Sequence, residues 1–350
     1  MTSRLHGTND TERPLRVLIV GGTSVSPQGR GHRETPETTL EAGLMSRGVA
    51  VDTRPHGWEI SRRHWDIVHV HHLAHQALVQ SVIRAGSRLV FTRHSTELPA
   101  TTRRLVLELM YQRADALVVL SEAERKLLGQ RVSSDRVTCI PNGIDGARWP
   151  YVQRRYPAPG EPWRLLFVGQ LVPVKNVDVL LRAVVHLDPS LAVQLDLVFH
   201  NNAQEHELRR LAADLGIEGQ VRFVGQVDHE KLPALYAQAH VLVLPSRLEA
   251  LPSVITEAEL SGVPVIASAV AGVPEQLDGH GTLVAPGDTR ELTRAITGVF
   301  GAYDEAIRRA VSAAASARSR YTIDAMIDGH LALYRQVLSR PSRRLLERHL

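Results

Sequence analysis

Glu249 and Glu257 stand eight residues apart, the first ahead of a helix-like stretch and the second about one turn inside it. Pro252 suits a first helical turn because its missing N–H would be unpaired there anyway. Val254, Ile255, Ala258 and Leu260 then recur at helical intervals until Gly262. Free backbone N–H groups at such a helix start, near Leu251 and Ser253, make an anion site favoured by the macrodipole. Two carboxylate acceptors therefore flank one cradle for phosphate. Surface charge can produce the same spacing, so the neighbouring elements must decide.

Other residues offer matching chemistry. In Gly169-Gln170-Leu171-Val172-Pro173-Val174-Lys175-Asn176, Lys175 falls at a helix start, where the dipole disfavours a cation unless an anion compensates. Gly272 follows another strand; it permits close backbone approach to a ligand, or serves a simple turn. In Asp66-Ile67-Val68-His69-Val70-His71-His72 the alternation puts His69 and His71 on one strand face. Such a pair can ligate a metal, but the sequence shows no carboxylate or cysteine partner nearby. His94 ends another strand and faces the expected cleft, as a substrate contact or a structural histidine.

The elements that must position these residues alternate regularly. Residues 17–20 read as a first strand, and residues 35–47 as a helix with Leu40, Leu44 and Met45 inward, stopped by Gly48. Strand-like runs recur near residues 51, 67, 89, 117 and 137, which implies a parallel sheet covered on both faces. A proline-rich stretch follows. A second alternating series runs through residues 165, 195, 221, 241 and 265. The expected division is a loose N-terminus over residues 1–14, a first α/β domain over 15–150, a linker over 151–163, a second α/β domain over 164–320, and a helix with a basic tail over 321–350. Ligands of open parallel sheets bind beyond the carboxyl ends of the strands, where Glu249 and His94 both fall.

Composition narrows the classes. With 43% hydrophobic and 22% charged residues the chain is ordinary for a globular protein, and 350 residues favour two domains. The balance of 41 basic against 37 acidic residues argues against nucleic acid as a partner. The single cysteine, Cys139, excludes an internal disulfide, reads as a buried thiol and fits a reducing compartment. No apolar run reaches the roughly 18–20 residues of a membrane span, and the polar opening is not signal-like, so the chain reads as cytoplasmic. The arginines at 340, 343, 344 and 348 read as a solvated tail in preference to a membrane-surface contact. The dinucleotide fingerprint fails because Glu34 stands where a third glycine is needed, and no P-loop pattern occurs.

Taken in order, these motifs resemble the retaining glycosyltransferases of family 4. They include the glycine-bearing loop after the first strand, residues 66–71, His94, Ser121-Glu122-Ala123-Glu124, Ile140-Pro141-Asn142-Gly143-Ile144-Asp145, Lys175, and the Glu249 and Glu257 pair before Gly262-Val263-Pro264-Val265. The resemblance implies an α/β protein of two facing Rossmann-like domains, the GT-B fold, with an interdomain cleft. It implies a nucleoside-diphosphate sugar as donor substrate, no separate cofactor, and a hydroxyl-bearing acceptor such as a glycan, a lipid-linked sugar or a small natural product. Glu249 would contact donor-sugar hydroxyls and Glu257 the ribose. Lys175 and amides near Leu251 and Ser253 would meet the diphosphate, and Gly272 would lie near the donor sugar. His94 would lie by the sugar and acceptor, with Gly22, Gly31 and His71 on the acceptor side. No Asp-x-Asp stretch occurs, so no metal bridge is expected.

Two positions depart from the family. Gln170 stands where an arginine is usual and supplies no positive charge, which places more of the diphosphate on Lys175. His200-Asn201-Asn202 replaces a small glycine-containing turn. A sugar-nucleotide epimerase or hydrolase, or a non-catalytic sugar-nucleotide-binding protein, would carry the same cleft.

Overall fold

The computed structural model describes residues 13–21, 35–54, 64–71, 87–94, 107–108 and 111–340. Gly22, Gly31 and the arginines at 343, 344 and 348 lie outside them.

Two six-stranded sheets, each wholly parallel, organise the chain. The first contains β1 (Arg16–Val20), β2 (Ala50–Arg54), β3 (Ile67–Val70), β4 (Arg88–Thr92), β5 (Ala116–Val119) and β6 (Val137–Cys139), in the order β2-β1-β3-β4-β5-β6. The second contains β7 (Trp163–Val168), β8 (Val193–Val198), β9 (Val221–Gly225), β10 (Val241–Leu244), β11 (Val265–Ser268) and β12 (Thr282–Val284), in the order β12-β11-β10-β7-β8-β9. Strands β3, β5, β10 and β11 are buried at every position. Their continuous apolar runs follow from helical cover on both faces. In the second sheet β7 lies between β8 and β10, so the loops after β7 and β10 diverge from a topological switch point, the favoured ligand crevice of such sheets.

Helix α1 (Pro36–Ser46) begins at a Thr35 capping box, in which Thr35 and Thr38 exchange side-chain and backbone bonds. Leu40 and Leu44 are buried as the periodicity requires, but Met45 is 56% exposed. Met45 sits about 100° around the helix from Leu44, outside the inward stripe, so its inward assignment is corrected. Cys139 is only partly buried, although burial is the main cause that pushes its thiol up to about 12.

The last described helix, α2 (Ile323–Ser339), returns to the first sheet. Met326, Ile327, Leu331, Leu333, Tyr334 and Val337 share one core with Val17, Ile19, Leu40, Leu44 and Val90. Arg47, just after α1, pairs with Asp324 and Asp328. The chain therefore passes between the two sheets twice, and the passages touch: Ile144 donates its N–H to the Tyr321 carbonyl at 2.9 Å. A Cβ on Gly143 would stand 2.6 Å from Ile323 Cα and from Thr322 O, so only glycine permits this crossing.

In the stretch expected as a linker, Arg154 is buried. Its guanidinium donates to the carbonyls of Tyr236, Ala237, Ala239, Ser261 and Gly262. These carbonyls end two helices, so the cation meets two negative dipole ends. No described helix is long and apolar enough to cross a membrane.

Candidate active site

The loops after β7 and β10 are stitched together at the switch point. Arg247 N–H donates to the Val174 carbonyl at 2.8 Å, and Asn176 Nδ2 donates to the Pro245 carbonyl at 3.1 Å. Asn176 takes a left-handed φ of 52°, which its short polar side chain tolerates. That residue separates a tight turn, Pro173–Lys175, from α3 (Val177–Val185). The turn delivers Lys175 Nζ to 2.6 Å from Glu249 Oε1. The anion that the helix-start position of Lys175 demanded is thus present in the protein itself. Glu249 is buried, and the Lys175 side chain is 22% exposed.

After Glu249 the chain enters α4 (Ser253–Leu260). Pro252 is its cap and offers no side-chain hydrogen bond to the first-turn amides. Glu257 lies one turn in, where Tyr236 donates its hydroxyl to Glu257 Oε2 at 2.7 Å. Burial pushes the Glu257 carboxyl up to about 7, against the pull of its hydrogen bonds from Tyr236 and Ser253. Leu251, Ser253 and Glu257 line a cavity of about 210 Å³, together with Thr39, Asp145 and His229. This cavity adjoins both domains and holds a carboxylate beside a helix N-terminus.

Two donor-side expectations fall differently. Gly272 does permit close approach, but to protein: a Cβ there would stand 2.3 Å from Ala250 O and 2.9 Å from Ser121 Cβ. Ser121 begins α5 (Glu122–Gly129) of the first domain, as its cap. Glu275, three residues after Gly272, accepts from the N–H groups of Glu122 at 3.0 Å and Ala123 at 3.1 Å. One carboxylate of the second domain thereby caps a helix of the first. Gln170 Nε2 lies 3.3 Å from His200 Nε2, so the two departures from the family pattern meet each other.

On the first-domain side, His71 and His94 follow β3 and β4. His71 Nδ1 lies 2.9 Å from His94 Nε2, and Glu37 Oε1 faces both, at 3.9 and 3.6 Å. His71 packs against His69, with ring centroids 4.2 Å apart. His69 is fixed by Tyr334 Oη at 2.7 Å and Thr92 Oγ1 at 2.6 Å. Burial, reinforced by neighbouring histidines, holds His69 and His71 well below the usual imidazole range, so both are neutral near pH 7.

Residues 152–315 match the family described as Glycosyl transferases group 1, and residues 30–148 match Glycosyltransferase Family 4. A D-inositol 3-phosphate glycosyltransferase of Streptomyces griseus is 30% identical over 320 residues, covering 84% of this chain and 67% of that protein. The chain belongs to this glycosyltransferase family. Other curated relatives of the same name are spanned over as little as 51% of their length. Among solved structures, sucrose-phosphate synthase from Thermosynechococcus elongatus superposes with a TM-score of 0.77 at 21% identity, covering 93% of this chain and 99% of that one. The Anabaena HepE protein in complex with UDP gives 0.74 at 18% identity, covering 92% and 100%. These likenesses show the fold, two parallel α/β domains of the GT-B class.

Within this glycosyltransferase fold, Lys175 and Glu249, expected on the donor side, are in direct contact, and so are His71 and His94 on the acceptor side. Tyr236, Glu37 and Glu275 join them as partners that the sequence does not single out. Tyr236 and Glu37 lie on helices remote in sequence from the groups they face, and neither spacing nor composition marks them. Glu275 stands three residues after Gly272, and an acidic residue there is the one signal that could have suggested a cap.

Proposed function

We propose that the protein transfers a sugar from a nucleoside diphosphate to a hydroxyl acceptor, with retention of anomeric configuration and without a metal bridge to the diphosphate. The observation that carries this reading is the Lys175–Glu249 pair at the switch point, with Glu249 in the loop that leads into the α4 N-terminus. A cation and helix amides stabilise charge that grows on a departing diphosphate, the largest type of contribution in such sites. Glu249 accepts from donor-sugar hydroxyls and Glu257 from the ribose, whose site is the cavity that Glu257 lines with Leu251 and Ser253. His94 serves the sugar and acceptor from the opposite side. Retention follows if the leaving phosphate helps take the acceptor proton on the same face, a route that needs no protein nucleophile. Closure of the two domains brings Glu249 and His94 to one substrate.

UDP and UDP-glucose are bound in structures of the Anabaena neighbour, which makes UDP-glucose the first donor to try. The acceptor is a hydroxyl-bearing glycan, lipid-linked sugar or small natural product. Incubation of the chain with UDP-sugars and an acceptor panel in EDTA tests the proposal. Transfer should continue in EDTA, and the new linkage should share the donor's anomeric configuration by its proton coupling constant. An inverted product or EDTA-sensitive transfer overturns those parts of the reading. Rapid free-sugar or epimer formation without acceptor favours the hydrolase or epimerase, and donor binding without turnover favours the binding protein.

A further inference from the structure

Glu37 at the start of α1 supplies what the sequence withheld from the histidines, a buried carboxylate beside them. The ligand-type atoms of Glu37, His71 and His94 all lie within 4.8 Å of one another. Their separations are 2.9 Å between His71 Nδ1 and His94 Nε2, 3.6 Å from His94 Nε2 to Glu37 Oε1, and 3.9 Å from His71 Nδ1 to Glu37 Oε1. Tetrahedral zinc, with bonds of about 2.0–2.1 Å, spaces its ligand atoms roughly 3.3 Å apart. The three separations bracket that edge.

We propose that Glu37, His71 and His94 form a binding site for a zinc-class divalent ion on the first-domain side of the cleft. Two imidazole nitrogens and one carboxylate suit zinc, whereas magnesium takes oxygen ligands in octahedral geometry. The ligands are held before any ion arrives: His71 packs against His69, itself fixed between Tyr334 and Thr92. Glu37 and His71 are buried, while the His94 side chain is 17% exposed and gives the way in. Among the described residues the cluster supplies three ligands, the number found with a water in catalytic zinc sites. The ion takes His94 Nε2, so the metal-free chain is the form in which His94 serves the sugar and acceptor, and the ion is distinct from any metal on the diphosphate. Its binding does not depend on the proposed transfer reaction. The competing arrangement is a hydrogen-bonded histidine pair, with a proton where the ion would be.

Titration of the chelator-stripped full chain with Co²⁺ decides between them. One equivalent should bind with the intense visible absorption of a tetrahedral ion, and Zn²⁺ should displace it. Glu37→Gln and His71→Ala should each weaken binding more than about a hundredfold, beyond the 10–100-fold typical when only an outer partner of a ligand is lost. If His71→Ala does not fold, His94→Ala, at the more exposed position, carries the same expectation. No tetrahedral band at one equivalent in the native chain overturns the assignment. So does a band of unchanged strength in Glu37→Gln and His94→Ala.

Discussion

Lys175 Nζ and Glu249 Oε1 meet at 2.6 Å, and this pair joins the two loops that diverge from the second sheet's switch point. The cation assigned to the diphosphate and the carboxylate assigned to the sugar therefore hold each other in place. Lys175→Ala should lower kcat by about 10²–10³, the usual cost of removing one preorganised electrostatic group. It also leaves the buried Glu249 without its cation, and the double variant Lys175→Ala, Glu249→Gln shows how much of any stability loss that lone carboxylate causes. Thermal stability should return in the double variant while turnover does not. Near-normal turnover of Lys175→Ala at saturating donor contradicts the role of Lys175.

Glu257 carries a pH signature. Burial raises its carboxyl from 4.5 to about 7 in the folded chain, so the native state holds this proton more tightly than the unfolded state. Stability from this group is full below pH 4.5 and is lost as pH rises through about 7. The loss is on the order of 3 kcal/mol, because each pH unit between the folded and unfolded values is worth about 1.36 kcal/mol. Glu257→Gln removes that slope while keeping an oxygen that accepts from Tyr236. The variant should therefore gain melting temperature relative to the native chain at pH 8 and gain little at pH 5. The comparison isolates Glu257 from Glu259, whose carboxyl burial also raises, to about 8. An equal difference at both pH values contradicts the assigned cause.

Gly272 and Glu275 join the domains, the first by close packing on Ser121 and the second by a carboxylate that accepts from the N–H groups of Glu122 and Ala123. Gly272→Ala would place a methyl 2.3 Å from the Ala250 carbonyl and 2.9 Å from Ser121 Cβ. The expected loss is about 1–3 kcal/mol, as for other overpacked sites. Glu275→Ala removes a cap from the first-domain helix and should cost about 0.5–2 kcal/mol. Urea melts measure both, and a midpoint unchanged in both variants contradicts the interdomain contact.

The fold is legible in the sequence because buried parallel strands leave continuous apolar runs, punctuated by glycines and prolines, as in residues 241–244 and 265–268. Helix α4 is legible for the same reason, since Pro252 and Gly262 bracket its periodic core. What escapes is set by distance along the chain. Tyr236 reaches Glu257 from another helix, and Glu37 reaches His94 from a helix far earlier in the chain. Met45 shows the limit of periodicity, because a residue adjacent to an inward leucine is rotated away from the core. The role of α2 escapes too: its apolar stripe reads as a terminal helix, and only the return of the chain beside Gly143 shows that it completes the first sheet's core.

The central claim is that the switch-point cleft of the second sheet holds a nucleoside diphosphate against Lys175. Isothermal titration of UDP and UMP into the native chain and Lys175→Ala tests it most directly. UDP should bind the native chain at least about tenfold more tightly than UMP, roughly 1.4 kcal/mol, and Lys175→Ala should erase most of that preference. Equal affinity for the two nucleotides in the native chain, or a diphosphate preference untouched by Lys175→Ala, would contradict it.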